Sequence, residues 1–310
     1  IEIQGEYYCS LIYNLMVKAN LNVGYYELEH FMQWGTPQDL EEYIYFAKKV
    51  PLNFKQNLIE CPSLTLMAGK GSRMKSIDKV KKPYLQIAGK KLFQLCTENF
   101  NSTNSNIYAL NGDDEDIQNT LYLEDKKKID VGYTNSSVET LYIALNKSEL
   151  NNNDSILIQP CDAAIDLNWN KFIRNNVNNL NCEGVIFSFS GYPYAHWIPN
   201  QYGWLKIKED NSIKEIGYKC GWNSEYSNPI ISGHFWFPNI ERLKNNLELF
   251  KKSSQNLSRE TSIDQFCEFL IRKNKKVFSY EVDDFLCLGT NLEFRSYEYW
   301  LDANEISRLN

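Results

Sequence analysis

Residues 64–83 read LTLMAGKGSRMKSIDKVKKP, and the organisation of the chain can be worked out from this stretch. Its first residues form an apolar, strand-like run that ends at Ala68 and leads into Gly69-Lys70-Gly71-Ser72-Arg73. Because glycine has no Cβ, such a loop can turn sharply and bring its backbone N–H groups close to an anion. We therefore predict a strand followed by an anion-binding loop.

Positive charge accompanies the predicted loop. Arg73 closes it, and Lys82 follows directly before Pro83. A guanidinium binds phosphate through two parallel hydrogen bonds and an ammonium acts as a point charge, so the stretch predicts a triphosphate pocket. The spacing fits neither the Walker pattern nor the dinucleotide-binding pattern. A turn that only joins a strand to a helix is the alternative.

In order and spacing, these residues resemble the signature of the sugar-phosphate nucleotidyltransferases: Ala-Gly-x-Gly-x-Arg-Met, a spacer, Lys-Pro, and a Gly-Lys pair, here Gly89-Lys90. The resemblance implies a Rossmann-like, three-layer α/β fold of the GT-A-like type with a mixed, mainly parallel central sheet. It also implies nucleotidyl transfer from an NTP to a sugar 1-phosphate or a similar phosphorylated small molecule. The nucleotide-binding residues that it implies in this stretch are Ala68, Gly69, Lys70, Gly71 and Ser72.

The composition limits the class of partner. Of 310 residues, 43% are apolar, and the formal net charge is −6. A chain with this negative charge is not suited to binding nucleic acid, which favours a basic protein surface. The eight cysteines form no C-x-x-C pair and the three histidines lie far apart, so neither a zinc site nor a histidine-based triad is expected. No apolar run reaches the about 20 residues that span a bilayer, and we expect reduced thiols in a cytoplasmic protein that binds no membrane.

The first fifty residues repeat the last fifty. Gly35-Thr36 aligns with Gly289-Thr290 at an offset of 254 residues (289 − 35), and the neighbouring residues align without a gap. Further identities are Glu6 with Glu260, Asn20 with Asn274, and Phe31 with Phe285. The letters of residues 5–8 and 35–43 also resemble the end of a nucleotidyltransferase catalytic domain.

We therefore predict that residues 1–50 are the end of a preceding domain of the same kind, and that residues 63–310 form one nucleotidyltransferase domain. Residues 51–62 are predicted to be a linker, because Pro51 and Pro62 bound a segment without clear periodicity. The alternative is that the first fifty residues are a helical extension of a single domain.

Downstream of Gly89, segments with helical periodicity alternate with short apolar strands. Helices are predicted at 92–100, 116–123 and 136–145, and strands at 107–110, 129–131 and 156–158. This alternation predicts a largely parallel sheet with ligands beyond the carboxyl ends of its strands. The later segments 184–190, 203–208, 213–219 and 229–237 predict antiparallel strands, with a hairpin turn at Asp210-Asn211.

Two side chains are expected at that edge of the sheet. Ser137 lies in a small-residue turn that resembles the base-binding turn of the family, although an N-cap at Asn135 or Ser136 explains the letters equally well. Asp162 ends an apolar strand, where a carboxylate can hold Mg²⁺ together with phosphate oxygens. The resemblance makes Asp162 the metal ligand and Mg²⁺ the cofactor. Alternatively, Asp162 caps a helix that begins near Asp166.

The resemblance assigns the phosphorylated sugar to Lys219, Gly233 and Glu260. Two positions depart from the family pattern. Tyr218 stands where a sugar-binding glutamate usually precedes the lysine, and Cys287 stands where many relatives carry a second metal-binding aspartate. Asp283 and Asp284 lie nearby in sequence and are candidates to replace that aspartate.

These assignments predict that an acceptor phosphate attacks the α-phosphorus of an NTP. The acceptor is already an oxyanion, so alignment and charge neutralisation suffice and no general base is needed. The predicted catalytic residues are Arg73, Lys82 and Asp162, with Arg73 on the departing pyrophosphate and Lys82 and Lys219 on the donor and acceptor phosphates. A homo-oligomer is compatible with this interpretation.

Two other functions compete with this prediction. A catalytically inactive, nucleotide-binding regulatory domain of the same fold would explain Tyr218 and Cys287. A nucleotide-sugar glycosyltransferase is disfavoured, because Gln159-Pro160-Cys161 precedes Asp162 where such enzymes carry Asp-x-Asp. A role in surface-polysaccharide precursor synthesis is implied by the resemblance alone.

Overall fold

The structure is a computed structural model that describes residues 2–3, 5–28, 30–47, 49–69, 74, 80–114, 121–176, 182–218, 228–253 and 261–309. The chain divides into two compact units, Ile1–Leu40 and Glu41–Asn310. We call them the amino-terminal unit and the main unit. No helix in the described residues is long and apolar enough to cross a bilayer.

The amino-terminal unit is small. Strands β1 (Glu2–Ile3) and β2 (Glu6–Tyr7) pair antiparallel, helix α1 (Ser10–Lys18) follows, and helix α2 (Pro37–Ala47) begins in this unit. None of the side chains described between residues 5 and 40 is buried. This unit therefore has no core of its own in the described residues.

The main unit contains most of the secondary structure. Its first strands and helices are β3 (Asn57–Ile59), β4 (Ser63–Leu66), β5 (Gln86–Ile87), β6 (Lys90–Lys91), α3 (Leu92–Thr97), β7 (Phe100–Ser102), β8 (Asn106–Leu110), β9 (Lys127–Asp130), α4 (Ser137–Lys147), β10 (Ile156–Pro160), β11 (Ala163–Asp166) and α5 (Trp169–Asn176). Its later ones are β12 (Gly184–Phe189), α6 (Pro193–Trp197), β13 (Gly203–Ile207), β14 (Ile213–Tyr218), β15 (Ile230–Phe237), α7 (Ile240–Ser253), α8 (Ile263–Arg272), β16 (Val277–Glu281), β17 (Asp284–Cys287) and α9 (Asn291–Leu309). Short 3-10 turns lie at Lys82–Tyr84, Leu121–Leu123 and Pro199–Gln201.

One mixed sheet organises the main unit. Its order is β14-β13-β15-β10-β4-β8-β9, and β12 pairs with both β15 and β16. Strands β10, β4, β8 and β9 are parallel, whereas β13, β14 and β15 pair antiparallel. The predicted parallel first half is confirmed, and the four later strands that were predicted pair antiparallel, whereas β16 adds to β12 in parallel.

Apolar side chains pack on both faces of this sheet. Along β10, Leu157 belongs to one core cluster, and Ile156 and Ile158 belong to another. Successive residues of a strand point to opposite faces, so the two clusters lie on opposite sides of the sheet. Helices α4 and α8 supply Leu141 and Phe266 to the second cluster. The predicted three-layer α/β fold with a mixed sheet is confirmed.

The boundaries near residue 50 differ from the expectation. Tyr45 and Phe46 lie in the core of the main unit, and the division between units falls after Leu40. The segment 51–62 includes strand β3, which pairs parallel with β7, and Ile59 is fully buried. This segment is therefore part of the main unit's packing and not an irregular connection. The origin of residues 1–50 in a preceding domain stays a prediction.

The other predicted elements agree closely with the structure. The helix expected over 92–100 ends at Thr97, and the four strands expected after residue 183 all form. Asn211 takes a φ of 61° in the predicted hairpin turn, a conformation that asparagine tolerates better than most residues. Most of the helix expected over 116–123 lies outside the described residues.

Candidate active site

The carboxyl ends of three neighbouring parallel strands form the edge that the sequence predicted. Strand β4 lies between β8 and β10, with Leu66 opposite Ala109 on one side and Pro160 on the other. The chain leaves β4 through buried Ala68 and exposed Gly69, and it leaves β10 through Cys161 and Asp162. The loop after β4 and the aspartate after β10 therefore begin at neighbouring points of the sheet.

Lys82 joins this edge to a distant part of the chain. Its side chain is only 8% exposed. The Lys82 ammonium forms an ion pair with the Asp162 carboxylate, and it donates a hydrogen bond of 2.8 Å to the carbonyl oxygen of Gly289. Proline follows Lys82 and fixes the first turn of the 3-10 segment from which the lysine projects. Three segments of the chain thus meet at one cation.

The charge state of Lys82 follows from its surroundings. Burial is the largest single effect and lowers the pKa of Lys82, but the Asp162 carboxylate and the other groups around the ammonium together outweigh it, so the net shift of the pKa is upward. The lysine is therefore a cation at neutral pH. Asp162 is about one quarter exposed, so the pair borders solvent on the carboxylate side.

Asp162 does not cap a helix. Its carbonyl oxygen accepts a hydrogen bond of 2.7 Å from the N–H of Leu288. Helix α5 is capped instead by Asn168, whose Oδ1 accepts from the N–H of Lys171 at 3.0 Å. The capping alternative is therefore wrong, and the Asp162 carboxylate is held at the strand end by Lys82.

Several side chains converge on Gly289. A Cβ placed on this glycine would lie 3.2 Å from Cys287 Sγ, 3.5 Å from Asp162 Oδ2 and 3.6 Å from Glu293 Oε2. Burial and the nearby carboxylates of Glu293 and Asp162 raise the pKa of the Cys287 thiol well above its usual value. Cys287 is therefore a neutral thiol at physiological pH and supplies no second negative charge beside Asp162.

The aspartates that follow β16 do not replace the missing carboxylate. Asp284 faces Asp166 in the β11–β17 ladder, whereas Cys287 faces Ala163 at its other end. Three residues of strand separate the two positions by about 10 Å. Asp284 also forms an ion pair with Lys49. Asp283 lies 3.9 Å from the ammonium of Lys55, an exposed pair.

Among the side chains around Gly289, the Asp162 carboxylate is the candidate ligand for Mg²⁺, because Cys287 is a neutral thiol. In the described residues, no group of three or more His, Cys, Asp or Glu side chains is placed to hold a metal ion. Asp162 offers hard carboxylate oxygens, while the neutral thiol of Cys287 is a soft donor that Mg²⁺ does not favour. Mg²⁺ commonly uses one or two protein carboxylates and takes its other ligands from water and substrate phosphates. Asp162 is compatible with that mode.

A buried carboxylate network lies behind Gly289. Glu293 is 1% exposed, and its Oε1 accepts hydrogen bonds from the hydroxyls of Tyr192 at 2.8 Å and Tyr202 at 2.7 Å. Its Oε2 accepts from both the N–H and the hydroxyl of Thr290 at 2.9 Å. This network fixes the Gly289-Thr290 bend that presents its carbonyl to Lys82. Sequence reasoning missed Glu293, although Thr-x-x-Glu before a helix is a capping-box signal.

The turn before α4 is a helix cap. Ser136 is the N-cap residue, and its hydroxyl accepts from the N–H of Glu139 at 3.1 Å. The Ser137 hydroxyl accepts from the N–H of Ile263 at 3.2 Å, which joins the start of α4 to the start of α8. The N-cap alternative is thus confirmed for Ser136. The contact of Ser137 with a nucleotide base stays a prediction.

Gly233 lies against Pro160, the last residue of β10, two residues before Asp162. It has a φ of 84°, and a Cβ on it would lie 3.3 Å from Pro160 Cγ. Only glycine takes this conformation without strain, so the close approach of β15 to the end of β10 depends on it. Tyr218 ends β14, opposite Gly203.

Part of the predicted site lies outside the described residues. These residues are Lys70, Gly71, Ser72, Arg73, Lys219 and Glu260. Of the predicted set, the structure brings together Lys82 and Asp162, places Ala68 and Gly69 at the end of the neighbouring strand, and places Gly233 against Pro160.

The parallel half of the sheet ends in a glycine-containing loop, an antiparallel half extends it, and apolar side chains pack on both of its faces. This arrangement is the Rossmann-like, GT-A-type fold of the nucleotidyltransferases. No protein-family model matches the chain, and no curated protein matches it. The similarity is therefore one of structure.

Three solved structures illustrate it. The nucleoside-diphosphate-sugar pyrophosphorylase from Vibrio cholerae is 17% identical with a TM-score of 0.57, covering 76% of this chain and 99% of that one. The inositol-1-phosphate CTP transferase from T. maritima is 14% identical with a TM-score of 0.56, covering 79% and 97%. A UDP-glucose pyrophosphorylase complexed with UDP-glucose is 13% identical with a TM-score of 0.57, covering 80% and 100%. At these identities the comparison establishes the fold.

Proposed function

We propose that the main unit transfers a nucleotidyl group from an NTP to a sugar 1-phosphate or a similar phosphorylated small molecule. The observation that carries this proposal is the buried Lys82 ammonium, held between the Asp162 carboxylate and the Gly289 carbonyl at the carboxyl edge of the sheet. Solved proteins of this fold include nucleoside-diphosphate-sugar and UDP-glucose pyrophosphorylases, which supports the choice of reaction.

The reaction needs charge and alignment more than proton transfer. An oxygen of the acceptor phosphate forms a bond to the α-phosphorus of the NTP. The bond from that phosphorus to the oxygen bridging to the β-phosphate breaks, and pyrophosphate leaves with the electron pair. Fixed cations stabilise the charge that moves onto the departing group. Lys82 is such a cation because its pKa is raised by Asp162.

Arg73 and Lys219 complete the proposed machinery. Arg73 would bind the departing pyrophosphate, since a guanidinium matches phosphate bidentately, and Lys219 would hold the acceptor phosphate. The backbone N–H groups of the loop that begins at Gly69 would bind the other phosphate oxygens. The support for these roles is the sequence signature and the position of Gly69 at the end of β4.

Mg²⁺ is the cofactor that we propose. When bound, it would neutralise phosphate charge, and Asp162 is the residue that would hold it. The Lys82 ammonium would then share the Asp162 carboxylate, which keeps the pair oriented toward the phosphates. We further propose that the reaction takes place in the cytoplasm, because the cysteines that the structure describes are all free thiols. The product would serve as a nucleotide-sugar precursor for a polysaccharide.

The test is a pyrophosphate-release assay over a panel of NTPs and sugar 1-phosphates with Mg²⁺ present. We expect pyrophosphate and a nucleotide-linked product with at least one pair of substrates. Pyrophosphate released without an acceptor would indicate a hydrolase. Product formation that survives the combined loss of Lys82 and Asp162 would contradict the proposed site.

A nucleotide-binding regulatory domain is the second candidate. The neutral Cys287 thiol in place of a second carboxylate favours it, because one carboxylate holds a metal ion less firmly than two. Saturable NTP binding by calorimetry, without turnover across the panel, would support this function and exclude transfer. Product formation with any acceptor would exclude the regulatory function.

A further inference from the structure

Helix α1 of the amino-terminal unit ends in the same way as α8 of the main unit. Helices α1 and α8 each end two residues before an asparagine with left-handed φ: 55° at Asn20 and 58° at Asn274. In both, the residue after this asparagine donates its N–H to the carbonyl five residues earlier at 3.0 Å. The sequence repeat at an offset of 254 residues is therefore also a repeat of backbone structure at the end of these helices.

The Gly-Thr bends are equivalent as well. Thr36 donates its N–H and its hydroxyl to Asp39 Oδ2 at 2.9 and 2.7 Å, and Thr290 donates the same two groups to Glu293 Oε2 at 2.9 Å each. Helices α2 and α9 begin directly after these threonines. We use the term terminal motif for this order of segments, which in the main unit is α8, β16, β17, the Gly-Thr bend and α9.

The two copies of the terminal motif differ in their strands. In the main unit, β16 pairs parallel with β12, and β17 pairs antiparallel with β11. The equivalent segments of the amino-terminal unit, residues 23–27 and 30–33, are described but contain no strand. A strand needs a neighbour for its N–H and C=O groups, and the main unit shows which neighbours this motif takes.

The two copies also differ in burial. Phe31 is 66% exposed whereas its equivalent Phe285 is 2% exposed, and Trp34 is 58% exposed whereas its equivalent Leu288 is fully buried. The same contrast holds on the first helix, where Ile12 is exposed and Phe266 is buried. Exposed apolar side chains concentrated on one short segment mark an interaction surface. We call the exposed side chains of Ile12, Phe31 and Trp34 the apolar face.

We propose that the apolar face is covered by the α/β sheet of a second domain with the same fold, which lies on the amino-terminal side of residue 1 in the same polypeptide. Residues 23–27 add to that sheet as a parallel edge strand, and residues 30–33 pair antiparallel with its counterpart of β11. In the main unit the corresponding edge, that of β12, is already paired with β16. A second copy of the chain has the same edge occupied. In the main unit the sheet precedes its terminal motif in sequence, and the same order places the second sheet before residue 1.

This assignment gives the Gly35-Thr36 bend a role. In the main unit the carbonyl of Gly289 accepts a hydrogen bond from Lys82 beside Asp162. The equivalent carbonyl belongs to Gly35, so the amino-terminal unit would complete the wall of a second phosphate site. Gln33 occupies the position of Cys287, and a carboxamide would stand beside the strand-end carboxylate there.

Amide hydrogen exchange tests the proposal in two proteins: the chain of residues 1–310, and the same chain extended through the preceding coding sequence by one period of 254 residues. In the shorter protein we expect the amides of residues 23–27 and 30–33 to exchange as open chain. In the extended protein we expect them to slow by on the order of 100-fold or more, as for paired strands. The main-unit amides of β16 and β17 should be protected equally in both.

A matched pair of variants distinguishes strand pairing of residues 23–27 and 30–33 from a general stabilisation that the added residues could cause. In the extended protein, Phe31→Asp should return residues 23–27 and 30–33 to fast exchange, because a charge would enter the covered face. Asn14→Asp should not, because the equivalent Glu268 is a partly exposed residue that pairs with Arg272.

Three results would overturn the proposal. One is a preceding coding sequence that does not fold as an α/β sheet with a free parallel edge. Another is an extended protein in which residues 23–27 stay unprotected. The third is protection of these amides in the protein of residues 1–310 itself together with a dimeric mass, which would assign the face to a second copy.

Discussion

The ammonium of Lys82 donates a hydrogen bond of 2.8 Å to the carbonyl of Gly289, which lies 207 residues further along the chain. This contact closes the candidate site, because it brings the segment after β4 to the bend between β17 and α9. The same ammonium holds the Asp162 carboxylate at the end of β10.

Replacement of the cation tests its role in the reaction. Lys82→Met keeps the length of the side chain and removes its charge, which leaves the Asp162 carboxylate without its ion-pair partner. We expect pyrophosphate release to fall by about 10²- to 10³-fold, the usual effect of losing one charge-stabilising donor. The control is Lys206→Met, because the pair of Lys206 with Glu215 is exposed and worth about 0–1 kcal/mol. Parental turnover by Lys82→Met would contradict the proposed function.

Asp162 is the residue whose loss should alter the response to metal. We expect pyrophosphate release by the parent protein to stop with a chelator and to return with added Mg²⁺. Asp162→Asn keeps the shape but removes the charge, so we expect it to need a higher Mg²⁺ concentration and to turn over roughly 100-fold more slowly. Asp302→Asn, at an exposed position on α9, is the matched control. An unchanged Mg²⁺ titration for Asp162→Asn would assign the metal to other residues.

Adding a single methyl group at Gly233 should lower the stability of the fold. Gly233→Ala places a Cβ at a φ of 84° and 3.3 Å from Pro160 Cγ. We expect the free energy of unfolding to fall by about 1–3 kcal/mol, measured by urea denaturation. Gly191→Ala is the control, since Gly191 has a φ of 75° but no atom within 4 Å of the new Cβ. Equal losses would show that the contact with Pro160 adds nothing to the backbone strain.

The stability of the fold should depend on pH through His234. This residue is fully buried on β15, and burial lowers its pKa to about 3. The unfolded chain has the ordinary value, so between these pKa values the unfolded state binds more protons than the native state. The contribution of His234 to stability is therefore complete above about pH 6.5 and decreases as the pH falls toward 3.

Urea unfolding at pH 7.5 and pH 5.5 measures this effect. We expect the parent protein to lose about 1 kcal/mol more between these values than His234→Gln does, because glutamine does not titrate. The comparison is between the two pH values for each protein, so any loss that the substitution causes at both is removed. Identical pH dependence in the two proteins would exclude His234 as the source.

Short-range patterns in the sequence were enough to predict the kinds of element and the chemistry of the first half of the site. Local signals were sufficient, because a strand, a glycine loop and a strand-end carboxylate are read from short spacings. Lys82 and Asp162 were both predicted in this way. The repeat of the terminal motif was also readable, since its glycine, threonine and asparagine residues recur at one fixed offset.

Which groups meet, and which charges they carry, depends on how the elements pack. The Gly289 carbonyl has no sequence signal as a partner of Lys82, because their contact depends on sheet order and on closure of a long stretch of chain. Burial makes Cys287 a neutral thiol, and strand register keeps Asp284 at the far end of its ladder. Desolvation and register are properties of packed elements, so no spacing within one segment could have specified them.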